Sequence, residues 1–162
     1  MSSGAPAASN GSRHQGVSVR QAVIADVDIL APLFDAYRQF QGQGSDLPAA
    51  RDFLRARFDH GESIVFIAED GEHALGFAQL YPSFSSVSLA RVFLLNDLFV
   101  AAEGRRRGVA TRLLDAVVAY ARSLQAVRIT LFVARPNTSA QALYEAHGWA
   151  QDDRFFVYHH PA

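Results

Sequence analysis

The sequence predicts a mixed α/β chain, one sheet with helices packed on it. Three observations lead there: strand and helix periodicities alternate along the chain, a hairpin signal sits near its middle, and a strand–helix–strand unit of crossover length follows. The length of 162 residues suits one domain with a substantial core and is short for two catalytic ones. A hydrophobic fraction of 49% with 19% charged residues is that of a globular protein. No apolar run approaches the ~20 residues that a bilayer requires, so no membrane role is expected.

The first stretch, 1–15, is mostly Ser, Gly, Ala and Asn with one Pro, and reads as a disordered leader ahead of a single domain over 16–162. It lacks the basic start and apolar core of a signal peptide, which makes the cytoplasm the expected location. Val17-Ser18-Val19-Arg20-Gln21 then alternates apolar and polar, the period of a half-buried strand. Asp26 is placed to cap a helix reaching about Phe40, with Ile29, Leu30, Leu33, Phe34 and Tyr37 as its core stripe. Glycines mark 41–46 as a loop, and Pro48 suits the first turn of a second helix carrying Phe53, Leu54 and Phe58.

Strands over 63–69 and 74–81, rich in Phe, Ile, Val and Leu, flank the turn Asp70-Gly71-Glu72-His73 and predict an antiparallel hairpin. Pro82 and the serines after it interrupt the apolar run, which resumes as a long strand over 89–100. Adjacent polar residues Asn96 and Asp97 break the alternation of that strand. Either a bulge re-aims its side chains there or the pair lines a wet cleft, and both readings favour a site. The clearest helix covers 106–124, with Val109, Leu113, Leu114, Val117, Val118 and Ala121 on one side. A strand over 127–133 follows, parallel to 89–100 by its crossover. Asn137 caps a last helix holding Ala140, Leu143 and Tyr144 and stopped by Gly148, and 155–158 (Phe-Phe-Val-Tyr) reads as a final strand.

Composition narrows the chemistry. With no cysteine, disulfides, thiolate metal sites and cysteine nucleophiles are excluded. The six histidines show no ligand spacing, so no metal is expected. A formal net charge of −1 offers nucleic acid no general attraction, and any basic site must be local. One such site lies at Arg105, Arg106 and Arg107, between the strand over 89–100 and the long helix. Unpaired N–H groups at a helix start can face an anion, and Gly108 removes the Cβ that would block its approach. Arginines there could be a merely solvated helix start, but they oppose the helix dipole unless an anion sits between them. The segment lacks both a Gly-Lys-Ser/Thr ending and G-x-G-x-x-G, which leaves nucleoside triphosphates and dinucleotides unsupported.

Arg105, Gly108 and Ala110 fit the pattern R/Q-x-x-G-x-G/A, and the run from Asn137 through Ala140, Leu143, Tyr144 and Gly148 to Trp149 is similar to N-x-x-A-x-x-L-Y-x-x-x-G-F. On these two motifs, in this order, the chain resembles the GNAT family of N-acetyltransferases over about 17–158. Leu95-Asn96-Asp97-Leu98-Phe99-Val100 and Tyr81-Pro82-Ser83-Phe84 look most like the branch holding diamine, histone and D-amino-acid acetyltransferases.

The resemblance implies a mostly antiparallel sheet of six to seven strands with a splayed central pair and about four helices. It also implies acetyl-CoA as co-substrate, an amine as acceptor, and a possible homodimer, for which 155–158 is a plausible edge. Backbone groups of Leu98 and Val100, with Phe99 between them, would pair with the pantetheine arm as with an added strand. Arg105, Arg106, Arg107, Gly108, Val109, Ala110 and Thr111 would take the pyrophosphate. Asn137 would reach the pantetheine, and Tyr144 would face the sulfur and protonate the departing thiolate. An alkylamine of pKa about 10 must first lose a proton. Related diamine enzymes carry Glu-Asp where this chain has Asn96-Asp97, and asparagine takes no proton. Asp97 is then a base, a holder of the cationic substrate, or a structural hydrogen-bonding group. Tyr37, Tyr81, Phe84 and Asn96 are candidates for the acceptor wall. The acceptor expected is a small primary amine such as a polyamine or amino acid; the alternatives are protein lysine or N-terminal acetylation and a non-catalytic acyl-CoA-binding module.

Overall fold

The structure is a computed structural model that describes residues 16–162; the leader expected over 1–15 lies outside the described residues. Five strands and four α-helices follow one another as β1 (Ser18–Gln21), α1 (Val27–Phe40), α2 (Leu47–Asp59), β2 (Ile64–Asp70), β3 (His73–Ser85), β4 (Ala90–Val100), α3 (Val109–Ser123), β5 (Arg128–Thr130) and α4 (Thr138–Ala146). The sheet runs β1-β2-β3-β4-β5. Its first three pairings are antiparallel, and β4–β5 is parallel, as the crossover through α3 requires.

Both faces of the sheet are covered, which is why β2 and β3 read as continuous apolar runs. Leu30, Ala31, Leu33 and Phe34 of α1, with Ala50 and Leu54 of α2, pack on Val65, Ile67 and Phe77. On the opposite face Leu113, Leu114 and Val117 of α3 meet Phe66, Leu80, Phe93 and Leu95. Each fully buried Leu, Ile, Val or Phe among them contributes roughly 1.5–3 kcal/mol, so the layer order is fixed mainly by these two stripes.

Several expectations change in the structure. The strand expected over 155–158 does not form: Phe155, Phe156, Val157 and Tyr158 are 73%, 88%, 57% and 88% exposed, and the sheet has five strands rather than six to seven. Apolar alternation makes a strand only where another strand offers an edge. Here β5 pairs over Arg128–Thr130 alone, shorter than the expected 127–133, and Arg154 is tied locally to Asp152. Pro82 does not end β3. β2 stops pairing at Leu80, so β3 is an edge strand beyond it and tolerates a residue without an N–H. Asp26 does not cap α1 through its side chain; its carboxylate accepts two hydrogen bonds from Arg20 and one from the Val23 N–H, which holds its pKa below the usual range. Ile29, expected in the α1 stripe, is exposed. The long helix begins at Val109, leaving Arg105, Arg106 and Arg107 in the turn before it.

Candidate functional site

The loop from β4 to α3 is held against β3. The Ala101 N–H donates to the Leu75 carbonyl at 2.8 Å, and a 3₁₀ turn, Ala102–Gly104, seats Gly104 where a Cβ would lie 2.8 Å from the Leu75 oxygen. Only glycine fits there. Arg106 and Gly108 then adopt left-handed φ of 60° and 73°. Nothing lies within 4 Å of a Cβ built on Gly108, so its backbone angle is what requires glycine. Two left-handed residues this close curl the chain into a concavity of N–H groups, and Val109, Ala110 and Thr111 add the unpaired donors of a helix start. The first turn of α3 holds no acidic residue to neutralise its positive end. Arg105 and Arg106 are exposed, whereas Arg107 pairs with Asp70 in the β2–β3 turn and so braces the loop.

β4 pairs with β5 only through Val92, Phe93 and Leu94. Past that point Leu98, Phe99 and Val100 keep β3 on one edge and, among the described residues, have no strand on the other. Asn137 caps α4 by accepting the Ala140 N–H at 3.2 Å. Tyr144 of α4 packs beside Trp149, and burial pushes its phenol pKa up.

A second cluster of polar side chains is built from three elements, α1, β3 and β4. The β3–β4 register passes from Gln79 opposite Asp97 to Leu80 opposite Leu95, so Asn96 is the extra residue of a bulge. Asp97 is 4% exposed and accepts hydrogen bonds from Gln79 Nε2 at 2.7 Å and from Asn96 Nδ2 at 3.0 Å. Gln79 Nε2 also donates to the Tyr81 hydroxyl at 3.3 Å. Burial raises the Asp97 pKa, and the donors Gln79, Tyr37 and Asn96 pull it back. Tyr37 titrates well above the ordinary phenol range through burial and then through Asp97, with Tyr144 and Tyr81 adding to the effect. Tyr81 is pushed up to about 12 by burial and Asp97. These four groups therefore share one electrostatic neighbourhood. Phe99 flanks it, with ring centroids 6.1 Å from Tyr37 and 6.3 Å from Phe40.

The structure thus brings together Tyr37, Tyr81, Asn96, Asp97 and Tyr144. Phe84 stands apart on the outer arm of the β3–β4 hairpin, exposed under the Arg91 guanidinium. Gln79 was not among the sequence candidates; a glutamine inside the apolar run Phe77-Ala78-Gln79-Leu80 was the available signal. Among the described residues no cluster of His, Cys, Asp or Glu is placed to hold a metal, and no helix is long and apolar enough to cross a membrane.

Residues 30–149 match the acetyltransferase (GNAT) family. The chain is 44% identical to the uncharacterized N-acetyltransferase YhfO of Bacillus subtilis over 142 residues, 88% of this chain and 95% of that protein. A crystal structure of a probable acetyltransferase superposes with a TM-score of 0.85 at 43% identity, covering 90% of this chain and 97% of the other. An aminoglycoside N-acetyltransferase in complex with CoA shares the fold, with a TM-score of 0.76 at 22% identity over 93% of this chain and 99% of its own.

Proposed function

Because the chain belongs to the GNAT acetyltransferase family, we propose that it moves the acetyl group of acetyl-CoA directly to a primary amine of a small molecule. The observation that carries this reading is the run of β4 itself. A buried carboxylate, Asp97, stands one residue before the unpaired edge at Leu98–Val100, and that edge leads into the N–H concavity at Arg105–Thr111.

Acetyl-CoA supplies an activated thioester, and the residues present fit its polar half. The uncompensated start of α3 and the exposed Arg105 and Arg106 match a pyrophosphate, and an open β4 edge at Leu98, Phe99 and Val100 matches two amides in line. Asn137 is spent on its helix cap through Oδ1, which leaves its Nδ2 for the pantetheine arm. Asp97 attracts the ammonium, and as burial raises its pKa it becomes a better proton acceptor for the amine. The Leu98 N–H, on the open edge of β4, would be a donor for the acyl oxygen as it takes up negative charge. Tyr144, protonated at neutral pH like any phenol and more so as burial raises its pKa, would give a proton to the departing sulfur. In this reading the amine attacks the thioester while both substrates are bound, and no residue carries the acetyl group in between.

A cytoplasmic location is part of this reading. So is a homodimer, supported by the exposed apolar run 155–158. Sedimentation of the protein beside Phe156→Lys tests the dimer: a shift of the variant to monomer is expected, and a monomeric parent refutes it.

Thiol release from acetyl-CoA is the test of function, across polyamines, D- and L-amino acids, aminoglycosides and lysine peptides, with calorimetric titration of CoA alongside. Turnover of one small-amine class is expected. Turnover of lysine peptides alone would transfer the activity to proteins, and tight CoA binding without any turnover would mark a binding module.

A further inference from the structure

We infer that Gln79 is a positioning residue of the transfer reaction, acting through Asp97 and never touching either substrate. The inference rests on the acetyltransferase reading above. It starts from the bulge at Asn96, which sets Gln79 directly across the β3–β4 ladder from Asp97, with both side chains on the sheet face that α1 covers. Gln79 is 0% exposed. Its Nε2 supplies both available protons, one to Asp97 Oδ2 at 2.7 Å and one to the Tyr81 hydroxyl at 3.3 Å. Its Oε1 is buried with no hydrogen-bond partner among the described residues.

A bare buried carbonyl is costly, and leucine or methionine would fill the same volume between Phe77 and Tyr81 without that cost. The packing therefore does not call for glutamine; the carboxylate does. Turning the amide over would aim Oε1 at Asp97 Oδ2, oxygen against oxygen, so an ionised Asp97 selects the orientation seen and leaves Oε1 bare. Asn96 Nδ2 holds the other carboxylate oxygen from the exposed side. Between them the two amides fix the plane of the Asp97 carboxylate and stabilise its charge in a buried setting.

The groups that act on this carboxylate are few. Tyr37 faces it from α1, Tyr81 stands beside it on β3, and Tyr144 of α4 acts on Tyr37. Arg57 of α2 and Glu62 bear on Tyr81 with opposite signs. The amide donors therefore carry the stabilisation that a nearby cation would otherwise supply.

Two replacements separate positioning from packing. Gln79→Met keeps the volume and removes the donor, and Gln79→Glu keeps the shape and sets a second carboxyl against Asp97. The sign follows from the chemistry: losing a donor to the charged form raises the Asp97 pKa, so activity is lost at a higher pH as the solution is acidified. With the best amine of the panel, kcat/KM at neutral pH should fall about 10-fold in Gln79→Met and about 100-fold in Gln79→Glu. The acidic limb should move to higher pH in both, with the Gln79→Glu loss recovered toward high pH and CoA affinity by calorimetry unchanged. An unmoved acidic limb, or an effect falling on CoA affinity, would overturn the inference. Carbon-13 NMR of the Asp97 carboxyl gives the same answer without turnover: its titration should move up in Gln79→Met, and an unmoved titration refutes the role. If Gln79→Met does not fold, Gln79→Glu must move the Asp97 titration up, and an unmoved titration there refutes the role as well. Failure of the parent protein to acetylate any amine would instead refute the acetyltransferase reading, while the titration would still report on the Gln79–Asp97 coupling.

Discussion

The two halves of the candidate site are built in opposite ways. The loop 105–111 is a contiguous stretch whose donors are mostly backbone N–H groups, shaped by two left-handed residues and the start of α3. The acceptor side gathers Tyr37, Gln79, Tyr81 and Asp97 from α1, β3 and β4, and its donors and acceptors are all side chains. A backbone concavity depends on chain geometry and survives many substitutions, whereas a side-chain network fails when a single member changes type. The first suits a constant partner and the second can be retuned for a different amine.

The sharpest break in this comparison is Gly108→Asp. It puts a Cβ at a φ of 73° and a carboxylate at the positive end of α3, and should weaken CoA binding by at least ~100-fold in calorimetry while leaving the Asp97 titration in place. Tyr144→Phe removes the proton donor to the sulfur and leaves the pyrophosphate and pantetheine contacts in place, so turnover should fall on the order of 100-fold with CoA affinity almost unchanged. Undiminished turnover would remove Tyr144 as the acid. Asp97→Asn should lower kcat/KM by roughly 50-fold and abolish the acidic limb of its pH profile; a rise in amine KM alone would restrict Asp97 to holding the substrate. The mildest effect belongs to Asp70→Asn, which frees Arg107 from the β2–β3 turn. Loss of that brace should weaken CoA binding about threefold, and tighter binding would mean that Asp70 competes for the arginine.

What the sequence disclosed follows the same division. The stretch Arg105 through Thr111 is legible as a candidate because the motif is local, although the helix expected from 106 begins at Val109. Arginine is a good helix former, and the left-handed angles at Arg106 and Gly108 leave no periodic trace. The broken alternation at Asn96-Asp97 correctly signalled a bulge, and the crossover through α3 correctly made β4 and β5 parallel. Gln79 escaped notice because its partner lies 18 residues away across a ladder whose register shifts between them. The strand over 155–158 was over-read for a related reason: its apolar residues are evident in the sequence, but the edge they require is not.

Direct transfer between two bound substrates is the central claim, and a rapid-quench single turnover with acetyl-labelled acetyl-CoA and the preferred amine tests it most directly. The label should pass from thioester to amine with none retained on the protein at any time. Label accumulating covalently on the chain, or failing to reach an amine at all, would contradict the account.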